Sequence, residues 1–385
     1  MAAAAERPPF YRNVRFLSWT FQVVVVLIVV AILFWLIGNY RRNTAASGVP
    51  TGFDFLSNPT SFDIPGADFS PNSPVSSAYL VGIRNTISIS AVGIVFATII
   101  GILVGVGRLS GNWLVRKLSA VYVEAIRNVP LLVIMTFSVL AIVLQTFPRI
   151  QQSWSVFGWL IVSNRGPGVP WYENTTGVAL TILVGVGVVA WWLVARWRQS
   201  IADRTGAVSH AGLYGLAVFV VILVAGWLVL GVGVTLPRVE GRQLAGGMRV
   251  DPSFFAVLLA LVIYTASHIA EIVRGSIQSV PRGQGEAATA LALSPFQRMW
   301  RVVLPQAMRT AIPPLGNQYL NLIKNSSLGA AFSYFDLTNV TQISVGNGSA
   351  AVPAFTLALV FYLVLSLITS AVVNVANRHF RLVER

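Results

Sequence analysis

YTASHIAEIVRGSIQSVPRGQGEAATALALSPFQRMWRVVLP, residues 264–305, decides how the rest of the chain is read. It begins in one apolar run and ends before another, yet its second half carries Glu286, Arg298 and Arg301 and lies between Pro281 and Pro305. That second half does not cross a bilayer. Ser294, Pro295 and Gln297 have the spacing of an N-cap, a first-turn proline and the glutamine of a capping box, so a short helix is predicted to start at 295. Leu293, Phe296, Trp300 and Val303 recur at helical spacing, with Arg298 and Arg301 turned elsewhere. Ahead of that break, Glu286, Ala287, Ala288 and Ala292 make another short helix, with one acid near its start where the helix dipole favours negative charge. Small side chains let a second surface approach the backbone closely. Two roles fit: a plug that seats in a socket, or an interfacial helix lying on lipid with its arginines at the headgroups.

Outward from this segment the chain is mostly apolar. Of 385 residues, 55% are hydrophobic and 10% charged, with mean hydropathy +0.71, where a soluble protein carries about 25% charged residues. An all-α integral membrane protein is predicted. A helix crosses the hydrocarbon core in roughly 17 to 25 residues. Eight stretches meet or approach that length: 16–38, 84–107, 120–147, 177–195, 212–236, 253–274, 310–330 and 354–375. The seventh is the poorest in bulky residues and carries Lys324. The first is longer than a signal-peptide core and no small-residue cleavage site follows it, so it reads as an anchor.

Basic residues orient the chain by the positive-inside rule. With the N-terminus inside, the inner segments hold Arg7, Arg12 and Arg15, Arg108 to Lys117, Arg196 to Arg204, Arg274 to Arg309, and Arg378 to Arg385; the outer ones hold fewer. Both termini are therefore expected in the cytoplasm. The formal net charge of +14 is explained by these flanks, with no long basic run of the kind that binds nucleic acid. Cysteine is absent, which excludes disulfide and thiolate chemistry. Lys117 and Lys324 are the only lysines and neither precedes Ser or Thr, so there is no P-loop; no H-E-x-x-H pair or G-x-S-x-G elbow is present. The outer segments 41–83 and 148–176 are rich in Pro, Gly and, in the first, Asp. Each is equally compatible with a passive linker and with a surface for a partner.

Polar residues inside spans are costly and therefore informative. Tyr264, His268 and Glu271 share a face of the sixth span, and Asn317, Asn321 and Lys324 share a face of the seventh. Those two faces together could offer a cation to a carboxylate and an acid to an ammonium. Pairing of Glu271 with Arg274, and capping by Lys324, are the structural alternatives. Glu124 and Arg127, three apart on the third span, are expected to neutralise each other.

The run from Tyr264 to Leu328 resembles the membrane-spanning subunit of ATP-binding-cassette importers of the polar amino acid uptake family. RNVPLLV, residues 127–133, is similar to that family's R-G-T-P-L-L-V element, with Asn128 and Val129 replacing Gly and Thr. The likeness covers roughly 80–147 and 253–376 and is strongest over 264–328. It implies the type I permease fold, with coupling helices at 286–303 that insert into a separate ATPase. Glu286, Ala287 and Ala288 match the family's EAA-x3-G element, and Leu304 and Pro305 its LP; Ser294 and Pro305 complete the implied coupling set. Ala292 stands where the family has glycine, a change expected to cost little in helix geometry because alanine is the better helix former, while any role needing a backbone turn at 292 is left open. His268, Glu271, Asn317, Asn321, Lys324 and Asn325 are the candidate substrate pathway.

The added first span, the FDFL…FDIP loop and the inserted pair of spans resemble the longer (Q-type) permeases of the general L-amino acid transporter group. The implied division is 1–40, a cytoplasmic N-terminus with an added span; 41–83, a periplasmic loop; 84–147, core; 148–252, an insertion; 253–376, core with coupling helices; and 377–385, a cytoplasmic tail. The implied partners are two copies of an ATPase, a second permease chain, a periplasmic amino-acid-binding protein and lipid, with no nucleic acid. No cofactor is expected on this chain, and ATP and magnesium are expected on the partner. The implied activity is import of L-amino acids across a bacterial inner membrane by a subunit that is not itself an enzyme. The alternative is a gradient-driven carrier or channel for small polar solutes, against which the chain shows no internal repeat and keeps its acids near span ends.

Overall fold

The computed structural model describes residues 14–48, 51–65, 69–173, 177–205 and 210–380. Arg7, Arg12 and Arg385, named above in the flanks, lie outside them. The chain forms two compact units, Met1–Leu80 with Val340–Leu363, and Val81–Asn339 with Val364–Arg385. All eight predicted spans are helical over most or all of their length. Six helices are long and apolar enough to cross a membrane, or seven if one bent pair counts as a single span.

In the first unit, α1 (Val14–Ser47) is exposed at nearly every described position. It runs further than expected, and α2 (Val75–Gly107) starts sooner, so the loop between them is shorter than 41–83. This loop is folded. It contains a 3-10 turn at Asp54–Ser57, a bridge between Pro59 and Pro74, and Phe55 buried edge-on to Tyr79 at 6.3 Å between ring centroids. Asn347 Nδ2 donates to the Thr60 carbonyl at 3.3 Å.

The second unit is organised around α7 (Pro252–Gln278), started by an Asp251 N-cap whose carboxylate accepts from the Ser253 and Phe254 amides. Ala256, Val257, Ala260, Leu261, Ala266, Ile269 and Ala270 are fully buried along it. Two apolar clusters flank it. One joins Ile89, Leu131, Met135 and Tyr334 to Val257 and Leu261; the other joins Ala97, Ala311, Leu315 and Leu322 to Ala266 and Ile269. Gly101 and Gly105 of α2 press against Ile269 and Val273 with no room for a Cβ. That is the close helix approach small residues permit in membranes.

The expected third span is broken. α3 (Trp113–Arg127) and α4 (Leu131–Phe137, continued by a π-helical stretch to Thr146) meet at 105°. The break falls at Asn128–Pro130, where proline disfavours helix at the residue before it.

α5 (Gly177–Thr205) and α6 (Ala211–Val229) pack on each other, with Phe219 over Gly187. α6 ends short of the predicted 236, because residues 233–235 are a strand. The segments on either side of this pair, which the composition presents as loops, form a small β module, so the chain is not purely α. Its strands are β1 (Trp154–Val156), β2 (Leu160–Val162), β3 (Gly168–Val169), β4 (Trp171–Glu173), β5 (Gly233–Thr235), β6 (Arg238–Glu240), β7 (Gln243–Ala245) and β8 (Met248–Arg249). They make one sheet β1-β2-β3-β8 and two antiparallel pairs, β4-β5 and β6-β7. Gly168 pairs with Arg249 and Trp171 with Thr235, so the two flanking segments are joined by ladders.

Candidate functional site

After α7 the chain turns at Pro281 into α8 (Arg282–Ala290). Glu286 and Ala287 are exposed on it, and Ala288 is buried. The helix closes with a Schellman pattern: the Leu293 amide donates to the Ala288 carbonyl at 3.1 Å and the Ala292 amide to the Thr289 carbonyl at 2.9 Å. Ala292 sits at φ +54°, the left-handed region that favours glycine. The backbone turn left open at 292 is present: the position lies beyond the helix end, where helix propensity does not govern it.

Ser294 then opens α9 (Pro295–Arg298). The Ser294 hydroxyl accepts from the Gln297 amide at 3.3 Å, and Gln297 Oε1 accepts from the Ser294 amide at 3.0 Å, which completes the predicted capping box. Phe296 and Trp300 stack at 6.2 Å, both exposed. The helix does not stop at Leu304–Pro305. It passes through a π-helical turn, Met299–Val303, into α10 (Leu304–Asn325). A proline in a helix removes one N–H and crowds the carbonyl four residues back, and a π turn relieves that crowding. Pro313 and Pro314 lie inside α10 rather than at its start.

α10 buries Ala307, Ala311, Ile312, Leu315, Gly316, Leu322 and Ile323. Its opposite face exposes Thr310, Asn317, Asn321 and Lys324, with Asn325 half-buried at its end. Lys324 lies in the last turn, where the helix dipole favours a cation. Among the described residues its ammonium has no ion pair.

On α7, Tyr264 and His268 pack ring to ring at 4.7 Å, and His268 Nε2 is buried with no hydrogen-bond partner among the described residues. Glu271 pairs with Arg274 on its own helix and with Arg108 just beyond α2, and Arg127 approaches at 3.9 Å. Arg274 Nη1 also donates to Gln278 at 2.5 Å. Three guanidiniums thus face one carboxylate. Glu271 has both oxygens committed, and Lys324 is not among its partners. The expected Glu124–Arg127 pair is not among the ion pairs of the described residues, and Arg127 turns to Glu271 instead. Sequence spacing does not tie Arg108 to Glu271, because the two stand 163 positions apart, beyond any local rule. Among the described residues no group of three His, Cys, Asp or Glu is placed to hold a metal.

Residues 215–382 match the family of binding-protein-dependent transport system inner membrane components. The general L-amino acid transport system permease protein AapQ of Rhizobium johnstonii is 39% identical over 99% of this chain and 95% of its own length. The glutamate/glutamine/aspartate/asparagine transport system permease protein BztB of Rhodobacter capsulatus is 35% identical over 97% of this chain and 96% of its own. A solved amino acid ABC transporter with histidines aligns at a TM-score of 0.46 and 18% identity, covering 79% of this chain and 94% of its own. The chain belongs to the family of amino acid ABC transporter permeases. It is a multi-pass membrane component of a transport system, and membership implies an ATPase partner and a substrate-binding protein.

Proposed function

We propose that this chain is the transmembrane subunit of an importer that moves L-amino acids from periplasm to cytoplasm of a bacterium, driven by ATP hydrolysis on a partner. Both termini face the cytoplasm, two ATPase copies sit beneath, and a second permease chain lies alongside. The cargo assignment rests on the two relatives named above for L-amino acids and for glutamate, glutamine, aspartate and asparagine.

The observation that carries the coupling role is α8, whose exposed Glu286 and Ala287 offer a small, acidic knob between α7 and α10. An acid at the start of a short helix with little side-chain bulk suits insertion into a groove, and nucleotide-driven closure of that groove would pull on Glu286, Ala287, Ala288, Ala292, Ser294 and Pro305. The exposed polar face of α10 supports the second permease chain, since Asn317, Asn321 and Lys324 are too polar to face lipid. They would line the pathway with His268 and Asn325, while Glu271 holds the arginine cluster together. This reading is preferred to a gradient-driven carrier.

The test replaces Glu286→Lys in the assembled transporter and measures radiolabelled amino acid uptake and membrane insertion. Loss of uptake with normal insertion is expected. Unchanged uptake would overturn the coupling role.

A further inference from the structure

The β1–β2 hairpin carries a group of aromatic side chains that transport does not explain. Residues 150–164, IQQSWSVFGWLIVSN, contain no charged residue and are flanked by Arg149 and Arg165. The paired strands place Trp154 opposite Val162 and Val156 opposite Leu160, so these four side chains share one face. At the turn, Phe157 and Gly158 take φ of +52° and +72°. The Trp159 amide donates to the Val156 carbonyl at 3.0 Å, so this is a type I′-like turn, which requires φ > 0 at both central residues, and a bulky residue such as Phe157 in place of Asn or Gly there is uncommon. Phe157 is 94% exposed, Trp159 62% and Trp154 52%. Three aromatic side chains are thus presented outward by a hairpin only a few residues long.

The position of the hairpin says what covers it. The β module is attached to the end of α4, both free ends of the α5–α6 pair and the start of α7, and its ladders tie these ends together, so it lies at one surface of the bilayer. Trp154 packs on Phe147 at 6.4 Å, and Phe147 packs on Phe255 in the first turn of α7 at 5.9 Å. The aromatic face of the hairpin is therefore continuous with the apolar ends of two membrane helices. Tryptophan and phenylalanine at that level, with the exposed Arg149 able to meet lipid phosphate, fit the headgroup boundary.

We propose that the β1–β2 hairpin is a lipid anchor. Phe157, Trp159 and Trp154 insert at the headgroup and upper acyl level beside α4 and α7 and hold the β module down on the membrane.

The chain has no cysteine, so single sites can be labelled without background. Phe157→Cys and, separately, Trp159→Cys would be spin-labelled in the full chain and placed in nanodiscs of phosphatidylethanolamine and phosphatidylglycerol. Collision with oxygen is then compared with collision with water-soluble nickel chelate. Arg242→Cys at the β6–β7 turn is the water reference and Ile28→Cys in α1 the lipid reference. The expected oxygen-to-nickel ratio at 157 and 159 is at least threefold above that at 242, and the label at 159 keeps Phe157 in place. Ratios equal to that at 242 at both sites would overturn the proposal. So would labels that match 242 until a soluble amino-acid-binding protein is added and are immobilised by it, which would make the hairpin a protein-docking element.

Discussion

Ala292→Gly should tighten the end of α8, and the size of the effect follows from the backbone. A non-glycine residue in the left-handed region costs roughly 1–2 kcal/mol relative to the helical region, and Ala292 is held there at φ +54° by the two closing hydrogen bonds. Glycine removes that cost but adds unfolded-state entropy of roughly 0.4–1 kcal/mol. The net gain is about 0.5–1 kcal/mol. Because the motif is local, global unfolding is a poor gauge and amide hydrogen exchange is a direct one. The Ala292 and Leu293 amides, which donate to Thr289 and Ala288, should exchange about two- to fivefold more slowly in the glycine variant, given tenfold per 1.4 kcal/mol. Ala292→Val, with a β-branched side chain at the same φ, should shift them in the opposite direction. Faster exchange in the glycine variant, or no change in the valine one, would show that position 292 is not strained and would refute the reasoning.

Ser294→Ala removes the hydroxyl of the capping box and should cost about 1 kcal/mol at the start of α9, seen as faster exchange of the Gln297 and Arg298 amides. Glu271→Gln leaves Arg108, Arg127 and Arg274 facing one another without a counter-charge. With these side chains 15% to 41% exposed, a loss of about 1–3 kcal/mol in detergent is expected, below that of a fully buried pair. Adding Arg108→Gln should recover part of it, and a strictly additive double variant would dissolve the cluster as a unit. Gly101→Val drives a side chain into Ile269 and should lower the thermal midpoint through about 1–3 kcal/mol of overpacking, whereas Gly275→Ala, with open space around it, should not.

The helices were legible because hydropathy over 20 residues is a strong and local signal, and the Ser294–Gln297 box because its partners are three residues apart. The β module was not. Its strands are two or three residues long, and the pairing of Gly168 with Arg249 depends on α5 and α6 bringing distant segments together. The charge cluster failed for the same reason: Arg274 is one helical turn from Glu271 and was visible, while Arg108 reaches it only through the crossing of α2 and α7. The turn at Ala292 is not decided by the sequence, because its backbone conformation belongs to the helix end, which a propensity scale for helix interiors does not describe. The break at Asn128–Pro130 is a near-right-angle corner because Pro130 caps the start of a separate helix, which hydropathy over a single span does not show.

The unbroken path from α9 through the π turn into α10 has a mechanical consequence. From Pro295 to Asn325 the helical assignment is continuous, and a straight rod of that many residues would be roughly 45 Å long at 1.5 Å rise per residue. Tilting such a rod by 10° about its middle moves each end by roughly 4 Å, enough to carry Lys324 past a neighbouring side chain. A hinge anywhere along the rod would absorb that stroke. Pro305 and the Pro313–Pro314 pair weaken the hydrogen-bond ladder without severing it, so they set how far the rod flexes before the far end moves. Between Phe296 and Asn321 the helical path thus contains three prolines and one π turn.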